Sequence, residues 1–93
     1  MPNKFYIRIN CDLNLLKQFL SFIDKNTSIK WAGGQPAMHY LSRKIDAIFI
    51  NNKIMQYTSD LNHVFINVLF YRDFKEITIE NLSILNPKDL FYD

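Results

Sequence analysis

Ala47-Ile48-Phe49-Ile50-Asn51-Asn52-Lys53-Ile54-Met55-Gln56-Tyr57-Thr58 sets two strand-forming runs on either side of a pair of asparagines. Asparagine tolerates the positive φ that a two-residue primed turn demands. The segment therefore predicts a β-hairpin with arms over 47–50 and 53–58 and Asn51-Asn52 at its tip. The rest of the chain has to supply the partners that such a hairpin needs to be stable.

Upstream, residues 4 to 10 alternate strictly. Phe5, Ile7 and Ile9 point one way and Tyr6, Arg8 and Asn10 the other, the period of a half-buried strand. A helix follows, with Asn10 or Asp12 as its cap. Leu15, Leu16, Phe19, Leu20 and Ile23 fall on one face, and Asn14, Lys17, Gln18, Ser21 and Lys25 on the other. Asn26-Thr27-Ser28 closes it, and Ile29-Lys30-Trp31 reads as a short second strand. Gly33-Gly34-Gln35-Pro36 must be an ordered turn, whereas 37–44 fits a helical turn or an irregular crossing equally well.

Downstream, Leu61, Val64, Phe65, Val68 and Leu69 recur with helical spacing, although Val, Phe, Ile and Tyr favour strands. Phe74 to Thr78 reads as a short strand, and Thr78 as the cap of a last turn through Leu82. The order is β-α-β-β-β-α-β. The expected class is α+β, a small antiparallel or mixed sheet of about five strands with two helices on one face.

Length and composition bound what such a fold can do. Ninety-three residues make a single domain over 1–93, and 48% hydrophobic with 15% aromatic residues is too apolar for a disordered chain. No apolar run reaches a membrane-spanning length, and the N-terminus lacks the pattern of a secretory signal, so a soluble cytoplasmic protein with no membrane partner is expected. A net charge of +2 without Lys/Arg blocks argues against nucleic acid. Phe, Tyr, Met, Ile, Asn and Lys make up 46 of the 93 residues, which points to an AT-rich gene.

Chemistry-bearing residues are few. Cys11 has no disulfide partner, and with His39 and His63 alone no tetrahedral zinc set can be assembled. Cys11, at the strand–helix junction, reads as a small buried thiol. His39 and Ser42 stand three apart but lack an acidic orienter and a nucleophile turn. Asp46, Asp60, Asp73, Glu76, Glu80 and Asp89 form no paired-carboxylate spacing, and His63 reads as a surface residue. No catalytic residue, metal site or cofactor is expected, which favours a binder over an enzyme.

Two segments are candidates for binding. Around the glycine pair, Lys30, Trp31, Gly33, Gly34, Gln35, Arg43 and Lys44 combine a flat ring, close backbone approach and positive charge, which suits a nucleotide-type ligand. The competing reading makes Trp31 a core anchor and the glycines mere turn formers. Tyr6 and Arg8, with Tyr57 or Met55 from the hairpin, can form an exposed sheet surface for a protein partner, or pack beneath a helix or a second subunit.

The run Ile29 to Pro36, the hairpin, and Phe74-Lys75-Glu76-Ile77-Thr78-Ile79-Glu80-Asn81-Leu82 together resemble a recurring type of small bacteriophage protein. That type has a Lys-Trp segment with glycine and proline close behind, a hairpin and a closing Lys-Glu-Ile-Thr piece; the likeness spans about residues 29–82. It implies a phage accessory protein that acts in the host cytoplasm against host defence. Two activities follow as expectations: sequestering a small nucleotide immune signal, with the pocket between copies of a homo-oligomer, or inhibiting a defence complex by direct protein binding. The resemblance carries over no catalytic residue.

Overall fold

A computed structural model describes residues 4–67 and 69–78. In chain order the elements are β1 (Lys4–Arg8), α1 (Leu13–Asn26), β2 (Lys30–Trp31), a 3-10 turn over Ala37–Tyr40, β3 (Ala47–Asn51), β4 (Ile54–Thr58), α2 (Leu61–Asn67), a 3-10 turn over Leu69–Asp73, and β5 (Lys75–Glu76). The expected α+β order is found. The five strands form one mixed sheet in the order β2-β4-β3-β1-β5. β1 and β4 flank β3 antiparallel, while β2 and β5 run parallel to their neighbours β4 and β1. The α1 crossover thus carries the chain from β1 over two strand positions, and the later hairpin fills them.

The hairpin forms one residue further on than the asparagines suggest. Its tip is Asn52-Lys53, with φ of 50° and 69°, and Asn51 pairs with Ile54 at the end of the arms. With the tip at 51–52, Lys53 would face Ile50 on the packed side of the sheet. A charged side chain is far more costly there than a left-handed backbone at the tip. The observed register instead sets Met55 opposite Ile50.

α1 begins at Asp12, whose Oδ1 accepts the backbone N–H of Asn14 at 2.8 Å and of Leu15 at 3.2 Å. Such a cap contributes about 1 kcal/mol. It ends where Thr27 Oγ1 donates to the Ile23 carbonyl at 2.7 Å, with Lys25 placed favourably against the negative end of the dipole. Leu16, Phe19, Leu20 and Ile23 are buried against Phe5, Ile7, Ile9, Ile48 and Ile50. Each such side chain contributes about 1.5–3 kcal/mol by leaving water. Cys11, expected to be buried, is exposed, in a left-handed turn with Asn10 that swings the chain from β1 into α1.

The helices do not share one face of the sheet. α1 covers one side, and α2 with its following turn covers the other, where Tyr6, Ala47, Phe49, Leu61 and Phe74 form a second core with Val64, Phe65 and Tyr71 half-buried around it. The reason lies in β3, whose Ala47-Ile48-Phe49-Ile50 is buried at every position and so needs cover on both sides. Asp46 joins the layers: its carboxylate accepts the Leu61 N–H at 2.7 Å, and its carbonyl accepts from Ile9 at 2.7 Å and Asn10 at 2.9 Å.

The helix expected around Leu61–Leu69 is shorter than its spacing predicts. Arg72 Nε donates to the Phe65 carbonyl at 2.8 Å, which satisfies a C-terminal group of α2, and the chain continues as a 3-10 turn with Leu69 outward. Val68 and the turn expected after Thr78 lie outside the described residues. Among the described residues no helix is long and apolar enough to cross a membrane.

Candidate functional site

Trp31 is the last residue of β2 and is only 3% exposed. Its indole N–H donates to the Ala37 carbonyl at 2.9 Å, so the ring is anchored to the 3-10 turn beyond the glycines. The intervening loop is tight. Gly34 N–H reaches the Trp31 carbonyl at 2.7 Å, Trp31 N–H reaches the Gln35 carbonyl at 3.1 Å, and Gly34 has a φ of +88° that other side chains rarely adopt. At Gly33 a Cβ would stand 2.7 Å from Gln35 Oε1, so a side chain there would displace the flexible end of Gln35.

β2 pairs with β4 only through Ile54 and Met55, whereas β4 runs on to Thr58. Where β2 stops, a cavity of about 330 Å³ opens at the sheet edge, lined on the loop side by Trp31, Ala32, Gly33 and Gln35. Tyr40, Met55, Gln56, Tyr57 and Tyr71 complete its walls. Tyr40 and Tyr57 meet the indole edge-on at 4.9 and 5.7 Å between centroids, a favoured aromatic geometry. Tyr71 hydroxyl donates to Gln56 Oε1 at 2.6 Å across the opposite wall. Gln35 Oε1 is buried without a hydrogen-bond partner.

The structure thus brings together three of the seven residues expected around the ligand: Trp31, Gly33 and Gln35. Gly34 shapes the loop from behind. Lys30, one position earlier on the strand, points to the other side of the sheet and is exposed. Arg43 stands outside the notch with its guanidinium 5.8 Å from the Tyr40 ring centroid, and Lys44 is exposed away from it. Tyr40, Gln56 and Tyr71 are wall residues that the sequence reading missed. Tyr40 had a signal, being an aromatic four residues beyond Pro36, but Tyr71 comes from the opposite layer, and no local pattern places it there.

The expected Tyr6–Arg8–Tyr57 surface does not exist as one patch. Tyr57 shares the α1 side with Trp31, whereas Tyr6 is on the α2 side and only 7% exposed, beside Phe49 and beneath Phe65. Met55 is buried. Tyr6 hydroxyl and Arg8 Nε both donate to Glu76 Oε1, each at 3.0 Å. The Arg8 hydrogen bond, reinforced by Tyr6, holds the Glu76 carboxyl below its usual range, and the same bond raises Arg8. Burial, with Glu76 adding to it, raises the Tyr6 phenol. This cluster fastens β5 to β1.

Remaining chemistry-bearing groups stay apart. His39 is exposed with its ring edge-on to Tyr40, Ser42 is exposed beyond the end of the 3-10 turn, and His63 lies on the surface of α2 beside Asn67. No cluster of three metal-ligating side chains occurs among the described residues. Comparison with protein families, with curated proteins and with solved structures gives no match.

Proposed function

We propose that this is a binding protein that captures the flat base of a small nucleotide-type ligand in the Trp31 notch, and that by holding it the protein withdraws a host immune signal, as its resemblance to small phage proteins implies. The observation that carries this reading is the Gln35 carboxamide. Its oxygen is buried without a partner beside a cavity walled by Trp31, Tyr40 and Tyr57. An unpaired buried acceptor costs about 1–3 kcal/mol, and a base edge with a ring N–H or amino group relieves it once the amide turns into the cavity. The terminal torsion of a glutamine is broad enough for that turn.

Tyr57, 38% exposed, supplies the rim ring against which a base packs. Arg43, behind Tyr40, is the cation placed to reach a phosphate outside the notch. About 330 Å³ is at the small end for a ligand site, which favours a second copy of the chain as the missing wall. The test is calorimetric titration with cyclic nucleotides and ADP-ribose derivatives, alongside the mass in solution. A ligand should bind, and Tyr57→Ala should weaken it at least tenfold while the fold is kept. No binding by any of the panel, together with a monomeric chain, overturns the reading.

A second reading, inhibition of a host defence complex by direct contact, is favoured by one observation. Ile66, 72% exposed, Leu69 and Phe70 crowd the outer surface of the α2 layer. Pull-down from infected host lysate with the native chain and with Leu69→Asp separates the two. Capture lost in Leu69→Asp and kept in Tyr57→Ala supports this surface; capture unaffected by Leu69→Asp removes it.

A further inference from the structure

On the α2 side of the hairpin lies a second cavity, of about 370 Å³, separate from the notch. Phe49, Ile54, Phe70 and Phe74 make its apolar walls, and Asn51 is one of its polar residues. The hydrogen-bonded Tyr71 and Gln56 line both cavities and stand between them. Phe49 and Phe74 meet edge to face at 5.5 Å, Phe70 and Phe74 at 5.6 Å, and Lys4 Nζ rests 5.0 Å from the Phe70 ring centroid. These contacts fix the three rings against one another along the cavity wall.

Asn51 closes the β3 arm opposite Ile54, and its Oδ1 is buried without a hydrogen-bond partner. It and Gln35 Oε1 are the two such side-chain atoms among the described residues. Native chains leave few buried polar atoms unpaired, and each calls for a reason. As it stands, Oδ1 is closed off by its neighbours. The terminal torsion of asparagine is broad enough for a turn toward the cavity, where Phe49, Phe70 and Phe74 carry no donor and the Tyr71 hydroxyl is already given to Gln56.

We infer that this cavity is a second ligand site, which takes a small flat aromatic molecule whose edge carries one N–H or O–H donor: the rings hold the flat body and Asn51 Oδ1 accepts the donor. The inference stands apart from the notch, since neither Trp31 nor Gln35 takes part in it.

The test is a nuclear magnetic resonance titration of the full chain with indole and with benzofuran, which matches indole in shape but lacks the N–H. Indole should shift the ring signals of Phe49, Phe70 and Phe74 and the Asn51 side-chain amide. One hydrogen bond corresponds to indole binding about two- to tenfold tighter than benzofuran. Asn51→Ala should bring the two affinities together. Phe70→Ala, at a ring already 51% exposed, should weaken both alike without loss of fold. Should Asn51→Ala fail to fold, the indole-to-benzofuran ratio on the native chain and the Phe70→Ala result decide. Shifts confined to Trp31 and Tyr40, equal affinities on the native chain, or an indole preference that survives in Asn51→Ala overturn the inference.

Discussion

The two faces of the sheet are built on different plans. On the α1 side a fourteen-residue helix, capped at both ends, lays Leu16, Phe19, Leu20 and Ile23 onto Ile7, Ile9, Ile48 and Ile50, all at most 2% exposed. On the α2 side a seven-residue helix and a 3-10 turn cover Tyr6, Phe49 and Phe74 with half-buried Val64, Phe65 and Tyr71, and leave Ile66, Leu69 and Phe70 outside. Branched aliphatic side chains interdigitate to crystal-like density. The α2 layer is half as long, and a short layer leaves its ends uncovered, with Ile66, Leu69 and Phe70 exposed. Stability is therefore concentrated on one face. The cavity beneath Phe70 belongs to the looser face, and the notch lies where β2 gives out at the edge between the two.

If that division is right, truncating matched rings on the two faces should give unequal losses. Phe19→Ala removes a ring with no exposure to spare and should cost about 3–5 kcal/mol, enough to threaten a domain of this size. Phe65→Ala, half-buried on the other face, should cost less than half as much. Urea unfolding of both variants measures the gap, and equal losses would break the comparison.

The loop between the faces comes next. Gly34→Ala places a side chain at a φ of +88° and should cost about 1–2 kcal/mol. Gly33→Ala displaces only the flexible end of Gln35 and should cost less, while it disturbs the notch. Thermal melting ranks the pair, and the opposite ranking would mean that the loop is held by the amide instead of by its backbone.

A smaller effect is expected at Glu76, the tie between β5 and β1. Its carboxyl is held below the ordinary range in the folded chain, chiefly by Arg8. It therefore adds stability above the unfolded-state carboxylate pKa of 4.5, which is lost as pH falls from there through the lower folded value. Both side chains are more than a third exposed, so Glu76→Gln should cost under about 1 kcal/mol at neutral pH. The difference from the native chain should close in acid, and melting curves at pH 7 and pH 3 check it. Smallest of all, Leu69→Ser on the outer surface of the α2 layer should leave stability within about 0.5 kcal/mol. A larger loss would show that this surface is packed in solution.

Much of this was legible in the residues. The alternation of Phe5, Ile7 and Ile9, the stripe from Leu15 to Ile23 and the turn residues of the hairpin each state a local preference, and all three elements formed. Where the reading slipped, a non-local term outweighed a local one. The hairpin tip moved to Asn52-Lys53 because Lys53 could not sit opposite Ile50 on the packed side. Tyr6 took the second of its two expected places, beneath a helix, because β3 is apolar at four successive positions, the available sign of a sheet covered twice. α2 ends at Asn67 for a more local reason that the apolar spacing does not show: the chain enters a 3-10 turn from which Arg72, seven residues beyond Phe65, donates to the Phe65 carbonyl.

The glycine-rich loop shows the same boundary within the candidate site. Its residues predicted an ordered turn beside Trp31, and that turn is present, with Gly34 in the left-handed conformation that only its missing Cβ allows without strain. Which side chains share a cavity with Trp31 was not written there. Lys30 directly precedes Trp31, and Arg43 and Lys44 follow the 3-10 turn, yet all three stand outside the notch, because alternation on β2 and the course of the chain beyond the turn send them elsewhere. Gln56 and Tyr71 arrive from β4 and from the far layer. Backbone preference acts over a few residues and can be read from them; cavities form where distant elements stop short of one another, and only the packed chain sets where that happens.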